Sequence, residues 1–350
     1  MKNKKFREPL TNTQLLMSIT IGIFFTMYLL SMAIFGGGFL HPQQIFDMLN
    51  DNASLIIVSL GLTIVMIGGG IDISVGAVTS LVVMSCVLYL NNGGNIFGSV
   101  LLALGIGLAF GIIQGLLISY LEIQPFIVTL AGMFFARGFT TILSVNPQKV
   151  EHAGFEVLRG AKMQISWLGY TARNGNLIPG TIELGVFIAL FCFAAIFILL
   201  KFVKLGRAFY AIGGNQTSAL MLGINVKRTR FMSYLICGLL SGISGFVFMM
   251  HTGAGNATNA AGMEMNAIAS SIIGGTLLTG GVGNPIGTLF GTLTLTTIKK
   301  IVVSSGLNDP WWQSITTGGM LCFFILLQSI VLNKRSHSKG SLKKIFNKKK

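Results

Sequence analysis

The stretch GGGIDISVG (residues 68–76) places three consecutive glycines and one aspartate between two apolar runs, 54–70 and 73–90. Glycine inside a helix is less favourable than alanine by roughly 0.5–1 kcal/mol. A carboxylate at the centre of a hydrocarbon layer costs roughly 2.5–3.5 kcal/mol even on the lenient insertion scale. A chain that accepts both here needs either a tight turn or unwound backbone. In the first case the turn joins two crossings with almost no loop. In the second, the glycines break the segment into half-helices that line a water-filled cavity. Asp72 then has two readings, as the N-cap of the next helix or as a polar lining of that cavity.

The surroundings of this stretch define the class. Of 350 residues, 52% are hydrophobic and 10% are charged, and the mean hydropathy is +0.74. Soluble domains carry about 25% charged residues. Apolar runs fall at 14–35, 54–70, 73–90, 97–120, 124–144, 182–203, 231–250, 264–282, 285–303 and 311–332. Each approaches the roughly 20 residues that cross a bilayer as a helix, and none alternates as a barrel strand would. The expected fold is all-α: a polytopic helical membrane protein of about ten transmembrane segments with glycine-interrupted helices. A second interruption, IGGTLLTGGVGNPIG (residues 273–287), lies in the other half.

The net charge of +15 is localised. Eighteen of the 25 basic residues lie in MKNKKFR (residues 1–7), in 201–230 and in 334–350. Clusters beside apolar spans follow the positive-inside bias and suit anionic lipid, not nucleic acid. Ten crossings put all three clusters on the cytoplasmic side and the loop 145–181 outside. The organisation expected is a basic cytoplasmic N-terminus (1–13), a transmembrane domain (14–332) with a cytoplasmic loop at 204–230, and a basic cytoplasmic tail (333–350). The first apolar run is too long for a signal-peptide core and reads as a retained anchor.

Catalytic chemistry is thin. No G-x-x-x-x-G-K-[ST] phosphate loop occurs, so the chain is not expected to bind ATP in the P-loop manner. The four cysteines are scattered singly and the four histidines lack ligand spacing, so no metal or other cofactor is expected on this chain. The embedded charges Asp72, Arg137 and Glu264 are the candidates for a polar pathway, while Lys299 and Lys300 are expected to snorkel. In the inner loop, Asn215 reads as an N-cap, 216–222 as a short helix and Gly223 as a left-handed stop. Such a helix is marginal alone. Leu220, Met221 and Ile224 need an apolar surface, either lipid headgroups or a soluble partner.

Four stretches occur together in this order: GGGIDISVGA, QPFIVTLAGMFFARG, YAIGGNQTSALMLGIN and IASSIIGGTLLTGGVGNPIGTLFG. With them the chain, from about 14 to 332, resembles the permease subunits of bacterial ATP-binding-cassette sugar importers, the ribose-transporter group. The wording TLAGMFFARG and GGTLLTGGVG is similar to that of galactofuranose permeases. The resemblance implies an inner-membrane permease for galactofuranose or a related monosaccharide. It also implies an ATP-binding subunit that uses the ATP, a second permease, and a periplasmic or extracellular sugar-binding protein. The loop matching 215–223 would then insert into the ATP-binding subunit as a coupling helix, with Asn215, Leu220, Met221 and Gly223 shaping the contact. Asn266 stands where the family commonly has aspartate, a difference that bears on selectivity. The competing expectation is an ion-coupled secondary transporter of a small hydrophilic solute, for which Asp72 and Glu264 are the available carboxylates.

Overall fold

A computed structural model describes residues 12–36, 39, 41–171 and 177–347. The basic cluster of residues 1–7 therefore lies outside the described residues, as does Arg173 in the outer loop.

The helices are α1 (Asn12–Phe35), α2 (Gln43–Ile67), α3 (Val75–Asn91), α4 (Ile96–Ser119), α5 (Pro125–Leu143), α6 (Ala153–Gly160), α7 (Leu184–Phe202), α8 (Lys204–Gly214), α9 (Gln216–Met221), α10 (Val226–Thr252), α11 (Met263–Ile273), α12 (Pro285–Ser304) and α13 (Pro310–Asn347). Two small antiparallel pairs complete the described chain. The strand β1 (Gln148–Lys149) pairs with β4 (Ala254–Gly255), and β2 (Lys162–Thr171) pairs with β3 (Leu177–Glu183).

Eight of these helices are long and apolar enough to cross a membrane. Of the about ten segments expected, some interrupted by glycine, two are short elements. The helix α3 has 17 residues, and α11 has only 11, about 16 Å at 1.5 Å per residue. Glycines end the second of these early. The span expected at 264–282 is helical only to Ile273, after which Gly275, Gly280 and Gly281 all take positive φ.

The helix α2 also begins eleven residues before the apolar run that announced it. Its first turns carry Asn50 and Gln43, whose amides find partners in the hairpin far along the chain. Asn50 Nδ2 donates to the Thr181 carbonyl at 2.9 Å, the Glu183 amide donates to Asn50 Oδ1 at 2.9 Å, and the Thr181 amide donates to Gln43 Oε1 at 2.9 Å. Tertiary hydrogen bonds thus let polar residues extend a membrane helix.

Contacts between element ends sort the molecule into two faces. On the hairpin face, Asn91 donates to the Lys149 carbonyl and accepts from the Glu151 amide, at 2.8 and 2.9 Å. There Glu183 meets both His251 (2.7 Å) and Lys162 (2.9 Å). The His251 hydrogen bond is the main cause that draws the Glu183 carboxyl down to about 2. On the opposite face, the Gly281 amide donates to the Ile67 carbonyl at 2.8 Å, and Lys227 pairs with Glu122 at 2.9 Å. At the centre, 89% of the most apolar window of α2 is buried, against 17% for α1 and 11% for α13. The chain therefore wraps one buried helix with lipid-facing ones.

The contact of α4 with α10 is made of backbone. Gly107, Gly111 and Gly115 recur every four residues on α4; the first two face Gly238 and Gly242 on α10 and the third faces Phe231. A Cβ on Gly107 would collide with the Gly238 carbonyl, and one on Gly238 would collide with that of Gly107. Small residues at this spacing allow close helix approach where lipid offers no hydrophobic drive to association. Gly107→Ala should destabilise the detergent-purified protein by about 1–3 kcal/mol, as overpacked cores do. Gly105→Ala is the control, because a Cβ there meets nothing within 4 Å. Thermal unfolding of both variants, with Gly105→Ala at or above wild type, checks the seam.

Candidate functional site: two glycine breaks and a capped helix

The first break follows α2. Gly69 turns the chain at φ +80°, and Gly70 leaves room for the Tyr234 hydroxyl, which donates to the Ile71 carbonyl at 3.2 Å. Asp72 is 3% exposed. Its Oδ1 accepts from the Ser74 amide at 2.9 Å and from the Ser74 hydroxyl at 2.7 Å. Ser74, not Asp72, occupies the N-cap position of α3, so the capping expectation is corrected: the carboxylate closes a turn just before the helix. The Gln114 amide donates to the Ser74 hydroxyl at 2.8 Å, and the Cys237 thiol also reaches Asp72. The residues 114, 234 and 237 that surround the aspartate come from α4 and α10. They are absent from the sequence reading, although Gln114 is a lone amide in an apolar run.

Glu264 packs against Gly76, the second residue of α3. Its Oε1 accepts from the Gly262 amide at 3.3 Å, and its Oε2 is buried without a hydrogen-bond partner among the described residues. The carboxylate occupies the space a Cβ on Gly76 would need. Arg137 reaches the same connection from α5. It donates to the carbonyls of Asn259 (2.7 Å), Ala260 (3.0 Å) and Ala257 (3.3 Å). Three converging carbonyls suit the five-donor fork of a guanidinium. Arg137 and Glu264 therefore hold one loop from two sides, and α3 begins against them.

Asn266 is separate from this group. It faces α12, where Lys299 Nζ donates to its Oδ1 at 2.9 Å. Lys300 donates to Gln44 Oε1 at 3.2 Å and lies 3.9 Å from Asp51. Both lysines have partners inside the protein and sit near the end of α12, where they line an open cleft.

The second break joins the first beneath α8. Gly280 and Gly281 turn at positive φ against Gly213 and Gly214, and a Cβ on Gly213 would collide with the Ile67 carbonyl. Tyr210, one turn earlier, donates to the Gly283 carbonyl at 2.9 Å. Immediately beyond comes α9. Asn215 Oδ1 accepts from the Ser218 amide at 2.8 Å, and Gly223 has φ +78°. The helix spans 216–221, one residue shorter than expected. Ala219 is buried under it, whereas Leu220, Met221 and Leu222 are 55%, 83% and 79% exposed. A groove of about 730 Å³ runs beside the helix, lined among others by Ser119, Glu122, Gln216 and Arg230.

A bundle of membrane helices broken by glycine, with a small helix held on one face, describes a permease. Residues 44–325 match the family described as branched-chain amino acid transport system / permease component, and the chain belongs to that family. Among its relatives is the inner membrane ABC transporter permease protein YjfF of Escherichia coli, 38% identical over 314 residues, covering 89% of this chain and 90% of that protein. The fructose import permease FruG of Bifidobacterium longum is 32% identical and covers 89% of each chain. The ribose import permease RbsC of Escherichia coli is 30% identical, over 84% of this chain and 86% of that one. One of these relatives is thus named as an ABC transporter permease and two as sugar import permeases, and this chain is a multi-pass membrane protein of the same family. No solved structure matches.

Gly76→Ala should push the Glu264 carboxylate out of its niche, and Arg137→Met should release the loop 257–260. Each change is expected to lower transport at least about 10-fold, as positional losses of an ångström do, while the protein still inserts. Uptake normalised to the amount of membrane-inserted protein is the measurement. Normal uptake by both variants would separate this loop from transport.

Proposed function

We propose that the chain is the membrane-spanning subunit of an ATP-driven monosaccharide importer, with α9 as its coupling helix. One observation carries the reading: a helix of six residues, capped at both ends, presents three large apolar side chains outward on the face where both glycine breaks meet. An isolated helix of that length is unstable in water, and exposed apolar side chains in a cluster mark a contact surface. In this reading the occupant is an ATP-binding subunit that hydrolyses the ATP. The relatives named as fructose and ribose import permeases support a sugar as cargo. Galactofuranose or a related monosaccharide is the cargo this reading takes.

A second permease, identical or not, would complete the pathway, and a sugar-binding protein would dock on the hairpin face. The substitutions Gly223→Val and Leu220→Asp test coupling. The first strains a residue at φ +78°; the second puts an unpaired charge into an apolar contact. Both should weaken co-purification with the ATPase and abolish sugar-stimulated ATP hydrolysis, with membrane insertion intact. Normal assembly and stimulation in both would remove α9 from the coupling role.

The same reading orients the chain with α9 and both termini in the cytoplasm and 145–181 outside. Single cysteines at Lys162 and Met221, in a variant lacking the four native cysteines, should react with an impermeant thiol reagent from outside and from inside respectively. The opposite pattern would invert the topology.

A further inference from the structure

A cleft of about 490 Å³ opens on the hairpin face between α2, α12 and α13. Its size falls in the range of small-molecule sites, roughly 300–1,000 Å³. Its wall exposes more apolar than polar surface, with Val303 and side-chain stems, and sets a few polar groups, Asn52, Thr296 and Gln313, beside Asp51, Lys299 and Lys300. Lys300 lies in the field of Asp47 and above all of the Asp51 carboxylate. That carboxylate lies 3.9 Å from Lys300 and is shared with His251, also at 3.9 Å.

Lys299 is the unusual member. It is partly buried on a membrane-crossing helix, and its hydrogen bond goes to the neutral side-chain oxygen of Asn266 at 2.9 Å. Among the described residues it makes no ion pair with an acid. Intramembrane charges are normally paired within the protein or serve a passing solute or ion. An ammonium has three donors, so two remain after Asn266. Its amide partner fixes the head group without neutralising it, and the missing negative charge must come from outside the chain.

We infer that the cleft is a subsite for an acidic monosaccharide, with Lys299 taking the sugar's carboxylate and Asn266 positioning the ammonium. Thr296, Asn52 and Gln313 supply neutral groups for the hydroxyls. This rests on the importer reading but replaces its neutral cargo, galactofuranose, with a related sugar acid, a uronate or an aldonate.

The test uses the complete importer in proteoliposomes with its binding protein, and labelled glucuronate, galacturonate and gluconate beside glucose and galactose. Uptake of at least one sugar acid is expected. Lys299→Gln should lower it about 10- to 100-fold, the weight of a lost charge-assisted hydrogen bond. Asn266→Asp should do likewise, because it gives the ammonium an internal counter-charge with almost no change in volume. Lys299→Arg keeps the charge and should stay within about threefold of wild type. Co-purification with the ATPase is measured on every variant, so a folding failure is seen separately. Transport of neutral sugars only, or acid uptake unchanged in Lys299→Gln and Asn266→Asp, overturns the subsite and leaves the importer reading standing. Loss of ATPase association in the wild-type chain would instead defeat the importer reading, and the subsite with it.

Discussion

Lipid gives helices no hydrophobic reason to associate with one another, so a membrane bundle depends on how closely its backbones can approach. In this protein the approach is set by glycine against glycine. The seam between α4 and α10 brings carbonyl oxygens to positions that any Cβ would occupy. The same device recurs where Gly274 meets Gly287 and where Gly291 meets the Ser270 carbonyl. With backbones this near, dispersion contacts multiply, and hydroxyls can reach across. Thr63 does so to Ser271 and Thr288, at 3.0 and 2.7 Å, on three different helices. Buried threonines and serines thus act as polar fasteners in an interior that has few charges.

Against that frame of close contacts, the charged groups mark places where the frame opens. Asp72, Arg137 and Glu264 all attend to the start of α3 or to the loop facing it, and each is tied to backbone or small polar groups. Arg137 and Glu264 grip one connection, so the pathway candidates form a brace more than a row of ligands. Asn266 is directed to another helix altogether, which separates the question of cargo from that of scaffolding.

Legibility in the sequence followed distance along the chain. The cap at Asn215 and the stop at Gly223 are eight positions apart, and their chemistry is local, so the helix between them could be read within one residue. The breaks at 68–70 and 274–281 were legible for the same reason. The start of α2 was not: residues 43–53 mix polar with apolar side chains, and what holds their amides is a hairpin more than a hundred residues away. Asp72 illustrates the other limit. Its residue type allowed a cap or a lining, and the choice was made by Gln114, Tyr234 and Cys237 from elsewhere in the chain. For Lys299, snorkelling is the general habit of the residue, and only the fold shows that Asn266 is within reach.

Gly213 adds a mechanical consequence. At Gly213 and Gly214, α8 meets the ends of both broken segments main chain to main chain, with the Tyr210 hydroxyl tied to the Gly283 carbonyl beside them. Long flexible side chains would act as a cushion, changing rotamer while the helices kept their places. A main-chain joint has no such compliance, because close-packed interiors deform little. Any push received by α9 a few residues downstream would therefore pass to α2 and α12 almost undamped, as through a stiff linkage and not through a spring.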